Sequence, residues 1–265
     1  MSRLAKAFRN ARRERRAAFV AYVTAGDPNL ERTVELATAL RRGGADVLEL
    51  GVPFSDPIAD GPTNQRAAER ALAAGTTLDG VLRSVAEIRR REELPIVLFS
   101  YANPVLRFGV ERFAEEAAAV GVDGVLFTDV PVEELGRFGP VLAAHRLDPI
   151  LLVTPTSTRD RVRAAAKHGA GFLYLVSRTG VTGAQQSLAA ELADDARRVR
   201  RLSKLPVAIG FGISSPGQVA AVASIADGVV VGSAIVDVVG RVGDRAGLGD
   251  AVQRFVTPLA EACRR

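Results

Sequence analysis

Tryptophan is absent from this 265-residue sequence, cysteine occurs once and histidine twice. Cys263 has no second cysteine to pair with, so an intrachain disulfide is excluded and a reducing, cytoplasmic setting is expected. His145 and His168 fall in or just after helical patterns, so no histidine cluster is available for a metal and none is expected. Lysine is scarce as well. Lys6, Lys167 and Lys204 lie on helical stretches or just ahead of a strand, the wrong places for a Schiff-base lysine. No apolar run approaches the ~20 residues of a membrane span. The run Ala17–Gly26 follows a basic N-terminus as a secretory signal would, but it is short, β-branched and ends in Gly-Asp-Pro, and it reads as a first strand. The excess of 35 basic over 30 acidic residues is scattered, and aromatics make up 5% of the chain. That excludes the concentrated basic stripe with stacking rings of a nucleic-acid groove. The one basic run, Arg12, Arg13, Arg15 and Arg16, reads as a helix end or surface arm.

What is present is regular. Short apolar runs alternate with longer amphipathic ones at the spacing of βα units. Strands are predicted at Phe19–Thr24, Asp46–Leu50, Pro95–Ser100, Gly124–Thr128, Pro149–Val153, Gly171–Val176, Val207–Ile209 and Gly228–Val231. Helices are predicted at Leu30–Arg42, Thr63–Ala74, Leu78–Arg91, Val110–Val120, Val132–His145, Arg159–Lys167, Leu188–Leu202 and Pro216–Ala223. Further helices flank the set at Arg3–Arg13, Ala234–Val239 and Gly247–Arg264. Similar helix-ending turns precede several strands, as in Gly43-Gly44-Ala45-Asp46 and Ala226-Asp227-Gly228. Eight units without a linker favour a (β/α)8 TIM barrel of α/β class with extra N-terminal and C-terminal helices, one domain over residues 1–265. In such a barrel, chemistry gathers where strands end. The loop after strand six, Ser177–Ser187, is long enough to act as a lid.

Within that frame, Leu48–Pro62 stands out. Glu49 sits in an apolar strand, where an unpaired acid costs several kcal/mol to bury unless it is solvated, paired or protonated. A nearby arginine would satisfy it; otherwise burial raises its pKa towards neutrality, which suits proton transfer. Asp60 reads equally as a second acid or as plain Asp-Gly turn chemistry. Asp56 reads as a turn former or partner contact rather than a catalyst. Two glycine-rich turns, Gly210-Phe211-Gly212-Ile213-Ser214 and Val231-Gly232-Ser233-Ala234, follow strands seven and eight and lead into helices. That is where this architecture builds a phosphate site from backbone N–H groups. Gly183 in the lid is placed to close over the same anion, and Phe211 offers a flat ring between the glycines. Tyr22, Tyr101 and Tyr174 all lie in or at the end of strands.

These strings, in order, are LELGVPFSDPIADGP, YANP, TDVPVEE, YLVSRTGVTGA, GFGISSP and GSAIV, and the chain carrying them resembles the tryptophan synthase α subunit family. The resemblance implies a lyase of tryptophan biosynthesis that cleaves indole-3-glycerol phosphate to indole and glyceraldehyde 3-phosphate. It implies Glu49 as general acid–base, Asp60 as the carboxylate on the indole N–H, and Tyr174 beside the reacting side chain. Tyr22 and Tyr101 fall at the ring pocket, with Tyr22 standing where phenylalanine is expected. Gly183, Gly212, Gly232 and Ser233 match phosphate-binding positions, Phe211 lies among them, and Thr182 matches the lid residue that meets Asp60. The resemblance also implies a pyridoxal-phosphate β subunit as partner in an α2β2 complex, with no cofactor in this chain. Pro53, Asp56 and Pro131 lie on the expected contact surface. Two other readings are a stand-alone lyase releasing free indole and a non-catalytic activator of a β subunit, the latter disfavoured by intact Glu49 and Asp60.

Overall fold

Apolar runs bounded by helix-ending turns become eight parallel strands: β1 (Ala18–Thr24), β2 (Val47–Gly51), β3 (Ile96–Ser100), β4 (Gly124–Phe127), β5 (Asp148–Val153), β6 (Leu173–Val176), β7 (Val207–Gly210) and β8 (Gly228–Val231). Each pairs with the next, and β8 returns to β1 with Ala18 opposite Gly228, closing the barrel. Nearly every strand residue is buried, as expected when helices cover one face and the barrel interior the other. This computed structural model describes residues 2–176, 185–210 and 212–265, with the side chains of 185–190 left aside.

Among the described residues the helices are α1 (Arg3–Arg13), α2 (Leu30–Arg42), α3 (Pro62–Ala73), α4 (Leu78–Arg91), α5 (Ala102–Phe108), α6 (Val110–Val120), α7 (Gly139–Ala144), α8 (Arg159–His168), α9 (Gln185–Leu202), α10 (Pro216–Ala223), α11 (Ser233–Val242) and α12 (Leu248–Glu261). Two expectations change. Val132–His145 is not one helix but a 3-10 helix, Val132–Arg137, followed by α7. Pro140 lacks an N–H and its ring clashes with a helix continued from the preceding turn, so the chain restarts at Gly139. Helix α5 was not predicted; at seven residues with Pro104 inside, it is too short to show an amphipathic period.

Side chains alternate between the two faces of each strand. Leu48, Leu50, Ile96 and Leu98 join the layer under the helices. Val20, Val47, Val97, Leu126, Ile150 and Phe172 fill the barrel itself. Helix α1 closes the end where strands begin. Its Leu4, Phe8 and Ala11 are buried, and the Phe8 and Phe172 rings lie 5.0 Å apart. A Cβ at Gly228 would lie 2.8 Å from the Phe8 ring, so glycine there admits the plug.

The turns ahead of β2, β4 and β8 share one device. Asp46, Asp123 and Asp227 accept from the backbone N–H of Phe19, Ile96 and Val207, at 2.8, 2.9 and 3.1 Å. Each also pairs with arginine: Asp46 with Arg16, Asp123 with Arg3 and Arg89, Asp227 with Arg200. Each aspartate thus staples its strand to the preceding one. Arg16, from the basic run, is part of this scaffold rather than a loose arm.

Candidate active site

At the other end of the barrel some of the inward positions are polar. Tyr22 on β1 stands opposite Glu49 on β2, which stands opposite Val97 on β3. Glu49 is 1% exposed, its Oε1 has no hydrogen-bond partner, and burial alone pushes its carboxyl up to about 8. Among the described residues no arginine pairs with it. Burial therefore favours its protonated form.

The two tyrosines beside it are seated against glycines. A Cβ at Gly51 would fall 2.3 Å from the Tyr22 hydroxyl, and one at Gly210 would fall 2.2 Å from that of Tyr174. Tyr22 shares a 3.3 Å hydrogen bond with Thr24 and meets Phe99 edge-on at 5.2 Å. Burial raises both phenols well above their ordinary value, so both stay neutral.

Asp60 lies in the turn that starts α3, where Gly61 is the N-cap and Pro62 the first helical residue. The Gln65 side-chain amide donates to the Asp60 carbonyl at 2.9 Å and fixes the turn. The Tyr101 hydroxyl accepts from the Ala59 N–H at 2.9 Å and donates to Asp60 Oδ2 at 3.1 Å. Burial raises the Asp60 carboxyl, while hydrogen bonds from Tyr101 and Asn64 draw it part of the way back. Tyr101 itself, pushed up to about 12 by burial and by Asp60, remains a donor.

One cavity of about 400 Å³ brings Tyr22, Glu49, Asp60, Tyr174, Gly212, Gly232 and Ser233 together. Tyr101 stands behind Asp60 and does not line it. Thr182, Gly183 and Phe211, with most of the expected lid, lie outside the described residues. Asn64, Phe99, Thr128 and Leu152 line the cavity without having been singled out. Strand alternation signals Phe99 and Leu152, which face the same way as Val97 and Ile150; nothing in the sequence marks Asn64.

Among the described residues no lysine, arginine or histidine lines the cavity. Helix α10 is closed by its own capping box, Ser215 with Gln218. Helix α11, by contrast, begins after its N-cap Gly232 with no side-chain cap among the described residues, and Gly232 and Ser233 border the cavity. Gly212, within the first of the glycine-rich motifs, takes a left-handed φ of 67°. Among the described residues no three His, Cys, Asp or Glu side chains gather as a metal site, and no helix is long and apolar enough to cross a membrane.

The residues expected at a partner surface lie outside this cavity. Asp56 and Pro131 are exposed, and Ile58 between Asp56 and Asp60 is 88% exposed. Pro53 is buried and lines a second hollow of about 920 Å³ with Phe54, Leu72 and Phe108.

Residues 8–262 match the family model described as tryptophan synthase alpha chain. Curated relatives with that name include those of Geobacter sulfurreducens, 51% identical over 262 residues and 99% of each chain, and Geotalea daltonii, 51% identical over 89% of each. Among solved structures, tryptophan synthase subunit alpha from Legionella pneumophila superposes with a TM-score of 0.91 at 37% identity, over 99% of this chain and 98% of that one. Tryptophan synthase from M. tuberculosis in an aminoacrylate-bound form gives 0.89 at 36%, over the whole of both chains. With a closed eight-stranded barrel, a buried acid at its mouth, a family-model match over residues 8–262 and relatives 51% identical over 99% of its length, this chain belongs to the tryptophan synthase alpha chain family.

Proposed function

We propose that Glu49 and Asp60 divide the acid–base work of this lyase, the cleavage of indole-3-glycerol phosphate to indole and glyceraldehyde 3-phosphate in tryptophan biosynthesis. The observation that carries the division is their contrast within one cavity. Glu49 is wholly buried, with Oε1 unpartnered and burial favouring its protonated form, whereas Asp60 is partly buried and accepts a hydrogen bond from Tyr101. Glu49 donates its proton to C3 of the indole ring, and Asp60 accepts from the ring N–H and stabilises the positive charge that develops there. Glu49, now a carboxylate, takes the proton of the side-chain hydroxyl on the carbon bonded to C3. The C–C bond breaks, its electrons restore the aromatic ring, and the hydroxyl carbon leaves as the aldehyde. The proton delivered to C3 stays on indole, and Glu49 ends protonated as it began.

The ring packs against Tyr22 and Phe99, with Tyr174 beside the side chain, while Tyr101 supports Asp60. The phosphate sits at the rim on Gly212, Gly232 and Ser233, where the uncapped start of α11 supplies N–H donors. Thr182, Gly183 and Phe211 complete this set in the same reading. The whole chain, residues 1–265, acts as one domain in the cytoplasm. Alpha chains of this family work with a β chain. Here an α2β2 assembly is proposed, with Pro53, Asp56 and Pro131 near the contact and pyridoxal phosphate held only by the β chain. Exposure of Ile58 and Asp56 on the loop that ends at Asp60 supports that reading.

The test is indole release from indole-3-glycerol phosphate by wild type and Glu49→Gln. The variant is expected to lose at least ~10²-fold in kcat with KM nearly unchanged, the usual scale for a positioned general acid–base. Equal turnover would reject the assignment.

A further inference from the structure

Helix α3 follows Asp60 directly, and three successive turns of it are tied to different parts of the site. In the first turn, the Gln65 side-chain amide donates to the Asp60 carbonyl at 2.9 Å. In the second, Ala67 is fully buried in a cluster with Tyr22 of β1 and Val236 of α11. In the third, the Arg70 guanidinium makes two hydrogen bonds to Asp27, from Nε to Oδ1 at 2.8 Å and from Nη2 to Oδ2 at 2.7 Å. Asp27 stands in the turn between β1 and α2, and its side chain is 2% exposed. Neither member of the pair lines the cavity.

Helix α11 makes room for the same guanidinium. Gly240 lies within α11, although glycine is a poor helix former. A Cβ there would lie 3.0 Å from Arg70 Nη2 and 3.4 Å from its Cζ. Arg70 therefore sits where α3, the turn after β1 and α11 meet. Those elements carry Tyr22 on β1, Asp60 just ahead of α3, and Gly232 and Ser233 at the start of α11. A two-point fork from a planar guanidinium fixes orientation as well as distance, which a single point charge does not. We propose that Arg70 is a positioning residue that, held by Asp27 and seated on Gly240, sets the separation between the ring site at Asp60 and the phosphate site at Gly232 and Ser233. This rests on the ring and phosphate sites given above. A molecule carrying both ends engages both sites at once only when their separation matches its length, whereas either end alone is indifferent to that separation.

The test measures binding of three probes to wild type, Arg70→Lys and Arg70→Met. The probes are indole, glycerol 3-phosphate, and indole-3-propanol phosphate, which joins ring and phosphate by a chain without hydroxyls. Binding is read well below each variant's melting temperature, with indole release from indole-3-glycerol phosphate measured alongside. Arg70→Met is expected to bind the joined probe ~10-fold more weakly and to raise KM by a similar factor, with indole and glycerol 3-phosphate each within about twofold of wild type. Arg70→Lys keeps the charge but loses the fork, and its joined-probe affinity is expected to fall about threefold. A role in folding alone predicts lower melting temperatures with all three probes bound as in wild type, and that result would overturn the inference. So would an equal weakening of the joined probe and of one fragment, which marks damage to a single site. If Arg70→Met does not fold, Gly240→Ala, whose methyl presses on the guanidinium, is read in the same way, with about threefold weakening of the joined probe expected. Should wild type bind the joined probe no tighter than indole, the phosphate site itself is misplaced and the inference falls with it.

Discussion

The two ends of the barrel treat carboxylates in opposite ways. Where strands begin, Asp46, Asp123 and Asp227 each accept a backbone N–H and pair with arginine. Where strands end, Glu49 Oε1 has no hydrogen-bond partner, and among the described residues Asp60 is bonded by a neutral hydroxyl. Burying a charge is tolerable when it is paired and costly when it is not. The first set is arranged to hold strands together and the second to have proton affinities that differ from those in water. Asp148, at the start of β5, is the exception. Its Oδ2 is buried without a partner, and burial raises its carboxyl despite a hydrogen bond from Ser2.

The contrast is sharpest in stability. Glu49 titrates near 4.5 in the unfolded chain and at about 8 in the folded one. Between those values the folded protein retains a proton that the unfolded chain has released. Wild-type stability therefore falls as pH rises through this window and levels off above it. Glu49→Gln carries no such penalty. Urea melts from pH 4.5 to 8.5 should show its advantage growing with pH, up to about 4 kcal/mol. An advantage that does not vary with pH would mean Glu49 titrates normally. At the opposite end, Asp123→Ala removes the partner of Arg3, Arg89 and the Ile96 N–H. It should cost about 3 kcal/mol by the same melts, with kcat of the folded enzyme within twofold of wild type. A large fall in kcat would blur the division between the ends.

Gly210→Ala tests the seat of Tyr174. Its Cβ would fall 2.2 Å from the hydroxyl and 2.9 Å from Val230, so overpacking of about 2 kcal/mol is expected, with a severalfold loss of turnover. Unchanged melting would show that the ring moves freely. The smallest effect is expected for Tyr101→Phe. It removes a hydrogen-bond donor to Asp60, at about 1 kcal/mol or less in stability, and should move the acid limb of the rate profile upward by a fraction of a pH unit.

Much of this was legible beforehand. All eight strands lie within two residues of their predicted ends, because glycine turns mark where helices stop and apolar runs mark what is buried on both faces. Glu49 was conspicuous because an acid among Val47, Leu48 and Leu50 conflicts with burial. The break at Pro140 and the short α5 were missed, since local proline geometry overrides a loose amphipathic pattern. Asn64 was missed for a different reason. One polar residue in the first turn of a helix is ordinary, and only the approach of α3 to the barrel mouth sets it beside Asp60.

By itself, the order of apolar runs, turns and motifs determined the barrel, the family and the acids worth suspecting, because periodicity and turn chemistry are local properties of the chain. Tertiary structure alone decided which acids are satisfied. Asp46 and Glu49 are three residues apart, yet one is clasped by Arg16 and the other keeps a buried Oε1 without a hydrogen-bond partner. Their proton affinities depend on partners and burial supplied by distant elements, and neither can be read along the chain.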